Sequence, residues 1–367
     1  MSRRVFVHIG LPKTGTSYLQ SVVWPQRDVL RGHGLLVPGR EKRDHLLSSM
    51  IVRDDPGVHR RGPGAAEAWN VVRREIAAYD GDALVSHEFF CAATPEQAQR
   101  MVAELAPAEV HVMVTAREPL GLFTSSWQES LKNLGTTPIE DYGRTVSEDP
   151  RDVWDWRALD LGLVLDRWSP AVPEERLHVV VAPGPGRPRE ELWRRFAGVL
   201  GLEPGVVPHQ ATFTNQTMGV VEAETLRRLN PHLAAFRGAY DRGRWIRSFL
   251  ADERLVARGG ERYWPGDDQV ADARERGARA VARIRASAYD VVGDLDDLLV
   301  PDELPPRRHP SSVTDAEVAE VAVSLVARLL EDVRERSPRG AARGGGTSHA
   351  QERSRIRRLA RRARRRA

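Results

Sequence analysis

The chain is poor in several things. Of its 367 residues only Cys91 is a cysteine. That excludes an intramolecular disulfide framework and any cysteine-rich zinc module. No apolar run approaches the roughly 18 residues that a membrane-spanning helix needs. The eleven histidines fall in no H-x-x-x-H or H-E-x-x-H spacing, so no metal site is expected. After MSRR comes only a short, mostly apolar run, VFVHI, where a secretory signal would need a longer one and a small-residue cleavage site. The expectation is a cytoplasmic protein, peripheral at most to the inner face of a membrane. Lysine is scarce as well. Of 55 Lys and Arg only Lys13, Lys42 and Lys132 are lysines. Where arginine has replaced lysine so widely, a surviving lysine points to a contact that a guanidinium serves poorly.

What is present is enough for a core. Hydrophobic residues make up 41% of the chain and charged ones 29%, which excludes wholesale disorder. The net charge of +4 is uneven: residues 337–367 hold eleven Arg and one Glu, so the other 336 residues carry −6, the chain's +4 less the segment's +10. The basic balance belongs to that segment and not to the folded body. An anion or nucleic-acid binder acting through the basic segment is therefore an alternative to be weighed, but not for the body.

Short apolar runs at 5–9, 83–86, 110–115 and 177–181 read as buried strands, and 34–39 as a further short strand or extended arm. Helical stretches begin at Tyr18 and cover 65–79, 95–105, the region after Pro119, and 189–200. This alternation predicts an α/β fold with three layers and a central parallel sheet covered on both faces. From about residue 205 the pattern is helical and polar. Thr314 and Glu317 form a capping box ahead of Val318, Val321, Leu325, Val326, Leu329 and Val333, which fixes a C-terminal amphipathic helix. The expected organisation is an α/β domain over 1–310, with helical additions and an acceptor-binding region at about 136–310. A helix over 311–336 and a flexible Arg-rich segment over 337–367 would follow.

The most informative segment is the loop Gly10-Leu11-Pro12-Lys13-Thr14-Gly15-Thr16-Ser17 between the first strand and the first helix. Backbone N–H groups, a helix N-terminus, three hydroxyls and an ammonium converge there on an anion. The nucleotide-hydrolase loop G-x-x-x-x-G-K-[ST] places its lysine after the second glycine, whereas Lys13 precedes Gly15 by two residues. That displacement counts against the alternative of a P-loop kinase-like phosphotransferase.

The string LPKTGTSYLQ resembles the 5′-phosphosulfate loop of sulfotransferases that use 3′-phosphoadenosine 5′-phosphosulfate (PAPS). That family has a second motif, an Arg and a Ser eight residues apart. Here VHVMVTA runs into Arg117, and Ser125 stands eight residues on. The resemblance covers residues 1–135 and thins from there to about 220. It implies a P-loop-like fold, PAPS as co-substrate, no metal, and transfer of a sulfuryl group to an acceptor hydroxyl or amine on a carbohydrate, glycolipid or small natural product. It implies that Lys13 contacts the bridging oxygen and 5′-phosphate. Pro12, Thr14, Gly15, Thr16 and Ser17 would complete the cradle, Tyr18 would lie near the nucleotide, and Arg117 with Ser125 would hold the 3′-phosphate. Arg117 could instead pair with Glu118, and Ser126 could take the place of Ser125. The family's late basic loop over the nucleotide is not evident; GAYDRGRWIRSF (238–249) has Arg and Gly in the wrong order.

Members of the family supply a general base from the strand end that here reads Ser86-His87-Glu88-Phe89-Phe90. His87 and Glu88 are both candidates, and neighbours on an extended chain point opposite ways. The Ser-x-Glu-Phe-Phe context favours Glu88. Lys132 reads as a solvated helix face, and Trp154, Trp156 and Trp168 as helix packing. Within 351–367, Ile356, Leu359, Ala360 and Ala363 lie at near-helical spacing among arginines, a pattern suited to an anionic membrane surface.

Overall fold

The computed structural model describes residues 3–184, 186–188, 190–207 and 217–336. The Arg-rich segment 337–367, with its expected linker and surface-binding stretch 351–367, lies outside the described residues. The chain divides into two compact units, 1–318 and 319–367.

Six strands form one sheet: β1 (Arg4–His8), β2 (Leu35–Leu36), β3 (Asp82–Ser86), β4 (Glu109–Ala116), β5 (Leu177–Val181) and β6 (Asp290–Val292). Their order is β2-β3-β1-β4-β5-β6, and every neighbouring pair is parallel. Helices α1 (Thr16–Val23) and α2 (Arg27–Gly32) follow β1; α3 (Arg43–Val52) and α4 (Ala68–Ala78) separate β2 from β3; α5 (Pro95–Glu104) precedes β4. Then come α6 (Pro119–Lys132), α7 (Trp156–Leu159), α8 (Leu161–Trp168), and, after β5, α9 (Glu190–Val199). The C-terminal part holds α10 (Val220–Leu229), α11 (Ala239–Asp241), a π-helix over Arg242–Val256, α12 (Asp267–Arg285) and α13 (Asp315–Arg336).

The strand sequences explain the layering. In β1, Val5 and Val7 enter one core and Phe6 the other, because successive side chains leave a strand on opposite faces. On the Val5 face the sheet is covered by α4, α5, α8 and α12 through Trp69, Met101, Trp168 and Ile284. On the Phe6 face it meets Leu19 of α1 and Trp193 and Phe196 of α9. Strands buried on both faces are continuous apolar runs, and that is how 5–9, 83–86, 110–115 and 177–181 read. Thr94 caps α5, with its hydroxyl taking the Gln97 N–H at 3.2 Å. The Thr314–Glu317 box is formed as well, with Glu317 Oε2 2.8 Å from the Thr314 N–H.

Some readings change. The edge strand β6 is not foreseen in the sequence. Lys132 is not on a solvated face: its side chain is mostly buried and its Nζ donates to Asp252 Oδ1 at 2.5 Å. Trp156 and Trp168 are buried, and Trp168 Nε1 donates to the Phe90 carbonyl at 3.2 Å. Cys91 is buried, and burial pushes its thiol up to about 12. Among the described residues no helix is long and apolar enough to cross a membrane.

Candidate active site

The chain runs from β1 to one side of the sheet, through β2 and β3, before it returns to β4 on the other side of β1. Such a reversal opens a crevice at the carboxyl ends of the strands. The three motifs lie there on adjacent strands. The glycine loop leaves β1, His87 and Glu88 follow β3, and Arg117 follows β4.

The loop rides on β4. The Ile9 N–H reaches the Met113 carbonyl at 2.9 Å, and the Leu11 N–H the Thr115 carbonyl at 2.7 Å. Its backbone turns through the left-handed region at Gly10 (φ 59°), Lys13 (φ 66°) and Gly15 (φ 100°). A Cβ at Gly10 would stand 2.8 Å from the Glu88 Cβ, and one at Gly15 would run into Leu192. Both glycines are therefore required for conformation and for space. Lys13 holds that backbone with a side chain, which is strain of the kind found where a functional group must be aimed.

A buried chain of hydrogen bonds supports the loop. Thr14 Oγ1 donates to the Leu11 carbonyl at 2.6 Å, so its one proton is committed. It must then accept from Thr115 Oγ1 at 2.7 Å, and Thr115 in turn accepts from His8 Nε2 at 3.0 Å. His8 Nδ1 is left to accept from Ser86 Oγ at 2.8 Å. A carbonyl that can only accept thus fixes one tautomer of a neutral imidazole. Burial lowers the His8 pKa to about 3, with help from His87, so the network stays uncharged.

The upper face of the loop is suited to an anion. Ser17 is exposed in the first turn of α1. Thr16 Oγ1 is buried without a hydrogen-bond partner, a donor left spare beside the cradle. These features fit a bound phosphate or sulfate group. Pro12 is buried in the loop. Tyr18, by contrast, belongs to the core on the Phe6 face of the sheet.

Lys13 Nζ donates to Glu129 Oε2 at 2.6 Å, and Arg247 of the π-helix pairs with Glu129 Oε1. The Glu129 side chain is only 3% exposed, against 33% for Lys13. Burial would raise its pKa, but Lys13 and Arg247 override that and hold it at about 2.

Glu129 links the two motifs. It sits on α6 one turn beyond Ser125, so the two share a helix face. Arg117 lies just ahead of α6. Its Nη2 is 3.3 Å from Glu118 Oε1, while Glu118 caps the helix by accepting the Gly121 N–H at 2.9 and 2.8 Å. The expected alternative, an Arg117–Glu118 contact, is thus present. A Cβ on Gly121 would collide with both side chains. Ser126 is committed elsewhere, 2.6 Å from the Tyr142 hydroxyl and donating to the Trp154 carbonyl at 3.1 Å. Ser125 is half-buried with its hydroxyl uncommitted to either.

The two base candidates differ sharply. His87 Nδ1 already accepts the Phe89 N–H at 3.1 Å, and burial, with Arg53 and Lys42, lowers its pKa to about 3. Burial moves Glu88 the other way, above the usual carboxylate range, although its own backbone N–H, Lys42 and Lys13 pull against the shift. The two shifts run in opposite directions, burial favouring the protonated form of Glu88 and the neutral form of His87. Among the described residues no group of three or more His, Cys, Asp or Glu could hold a metal ion.

No family model and no curated protein matches the chain. Two solved structures are similar to it. One is a sulfotransferase from Alicyclobacillus acidocaldarius, 20% identical, with a TM-score of 0.40 over 66% of this chain and 93% of that one. The other is the sulfotransferase domain from the curacin biosynthetic pathway, 13% identical, with a TM-score of 0.34 over 79% and 99%. Likeness at this level decides nothing about the site, whose chemistry rests on its residues.

Proposed function

We propose that the chain is a sulfotransferase. It takes the sulfuryl group of PAPS and passes it to a hydroxyl or amine of a carbohydrate, glycolipid or small natural product. The observation that carries this reading is the convergence of two motifs. The Lys13 loop and the Arg117–Ser125 pair lie at adjacent strand ends, and the Lys13–Glu129 ion pair ties the loop to the helix bearing Ser125.

In this reading Arg117 and Ser125 grip the 3′-phosphate, where a guanidinium fork matches phosphate oxygens. The loop N–H groups, Thr16, Ser17 and Lys13 receive the 5′-phosphosulfate. Glu88 takes the acceptor proton as the acceptor oxygen or nitrogen attacks sulfur. The bond from sulfur to the bridging oxygen breaks, and its electron pair leaves with 3′-phosphoadenosine 5′-phosphate (PAP). Lys13 offsets the charge that grows on that oxygen. Glu88 then releases the proton to solvent. Positioning and electrostatic stabilisation supply most of the acceleration.

Thermal-shift measurements with PAP beside ATP–Mg²⁺ test the reading, because a ligand that binds only the native state raises its apparent stability. PAP alone should raise Tm. A shift with ATP–Mg²⁺ alone would replace the reading with a phosphotransferase, and a shift with neither would move weight to a binding role for the basic segment.

A further inference from the structure

Glu129 is out of place in a site built for an anion. It is the least exposed charged group beside the loop, and it occupies the ammonium that the reading above assigns to a phosphosulfate. Its other oxygen is taken by Arg247, and Asn133 Nδ2 lies 3.4 Å from that same oxygen. Held at about 2, the carboxyl is far too acidic to serve as a base. Nor is it spare packing, since a buried charge is tolerated only when it is paired.

The groups come from three separate places: the strained loop after β1, the last turn of α6, and the π-helix. A π-helix of fifteen residues is unusual in length, and π segments are frequent at functional sites. Arg247 is 118 positions from Glu129 in sequence, so the pairing is made by the fold and not by local geometry.

We propose that Glu129 is a positioning residue that holds the Lys13 ammonium in the absence of donor and yields it to the donor's oxyanions on binding. The inference rests on the sulfotransferase reading. Glu129 and the donor's 5′-phosphate are both anions that want the same cation, so they compete for it. Glu129 keeps Lys13 aimed while the donor is away. The carboxylate then weakens donor binding in exchange for an ordered lysine. Arg247 stays on Glu129 when Lys13 leaves, so the buried carboxylate is never without a cation.

Calorimetric titration with PAP tests this on the full chain and on Glu129→Gln, Lys13→Met and the double variant, each checked for folding by circular dichroism. Removal of the competing charge should tighten PAP binding by about tenfold in Glu129→Gln. In the Lys13→Met background the same change should leave affinity within about threefold of Lys13→Met alone, since the competition is for that lysine. Weaker or unchanged binding in Glu129→Gln would overturn the proposal, as would an undiminished gain without Lys13. A crystal structure of the unaltered protein with PAP needs no variant to fold. The 2.6 Å contact between Lys13 and Glu129 should be broken there, and its survival would also overturn the proposal. If the unaltered protein did not bind PAP at all, the donor reading itself would fall and take the inference with it. Binding with the wrong response in Glu129→Gln overturns the inference alone.

Discussion

Glu88 and Glu129 are two carboxylates in one site with opposite environments. Such a divergence separates groups that exchange protons from groups that hold charge. Burial raises Glu88 and two cations depress Glu129, so their effects on stability have opposite signs. The Glu129 contribution is present above the unfolded carboxylate pKa of about 4.3 and is lost as pH falls toward about 2. For Glu88, stability is lost as pH rises through its elevated pKa. Glu88→Gln should therefore raise Tm near neutral pH while lowering the transfer rate by about 10²–10⁴-fold, the usual worth of a general base. If the proposed transfer runs through Glu88, the unaltered protein should show an acid limb above the ordinary carboxylate range that vanishes in this variant. His87→Asn should keep that limb. A pH profile that follows His87 instead would exclude Glu88 as the base. Thr14→Val breaks the buried chain at its committed donor. A loss of about 1–3 kcal/mol by denaturant unfolding is expected for the polar groups left unpaired.

At the scale of elements, the strands and their loops were legible, because a run buried on both faces needs only apolar β-formers and a turn signal. The place of the glycine loop between β1 and α1 was legible because its glycines mark a turn that needs positive φ. Other features left no local trace. Strand β6 is three residues long and half-exposed, too short to show a period. The π-helix has a pitch to which a 3.6-residue template is blind, so Arg247 carried no signal toward Glu129. Tyr18, expected near the nucleotide, is buried in the same core cluster as Leu19 and Val22. Lys132 lay on a helix whose partner, Asp252, is 120 positions away. The entry to α6 yields its own prediction. Gly121→Ala improves helix propensity by about 1 kcal/mol, yet its new methyl must push Arg117 and Glu118 aside. Displacing the Glu118 cap offsets that gain, so stability should hold or fall slightly while PAP affinity falls several-fold. Unchanged affinity would mean that Arg117 does not need this seat.

On the scale of the whole molecule, charge is partitioned. The body carries −6, so in the proposed reading the donor is drawn locally by Lys13 and Arg117 and not by the general field. The +10 of residues 337–367 belongs to a different task, which we propose is contact with an anionic membrane surface. Deletion of 337–367 should leave PAP affinity unchanged and abolish salt-sensitive binding to phosphatidylserine vesicles. Equal vesicle binding by the shortened chain would end that proposal.

The account's central claim is that one nucleotide bridges the Lys13 loop and the Arg117–Ser125 pair. Calorimetric titration of PAP, 5′-AMP and 3′-AMP against the unaltered chain and Arg117→Ala tests it most directly. PAP should bind tightest, and Arg117→Ala should cost it about 2 kcal/mol, near thirtyfold, as expected for a lost charged hydrogen-bond pair. That variant should bind PAP and 5′-AMP alike, while PAP keeps its advantage over 3′-AMP. Equal affinity of the unaltered protein for PAP and 5′-AMP, or a preference that survives in Arg117→Ala, would contradict the claim.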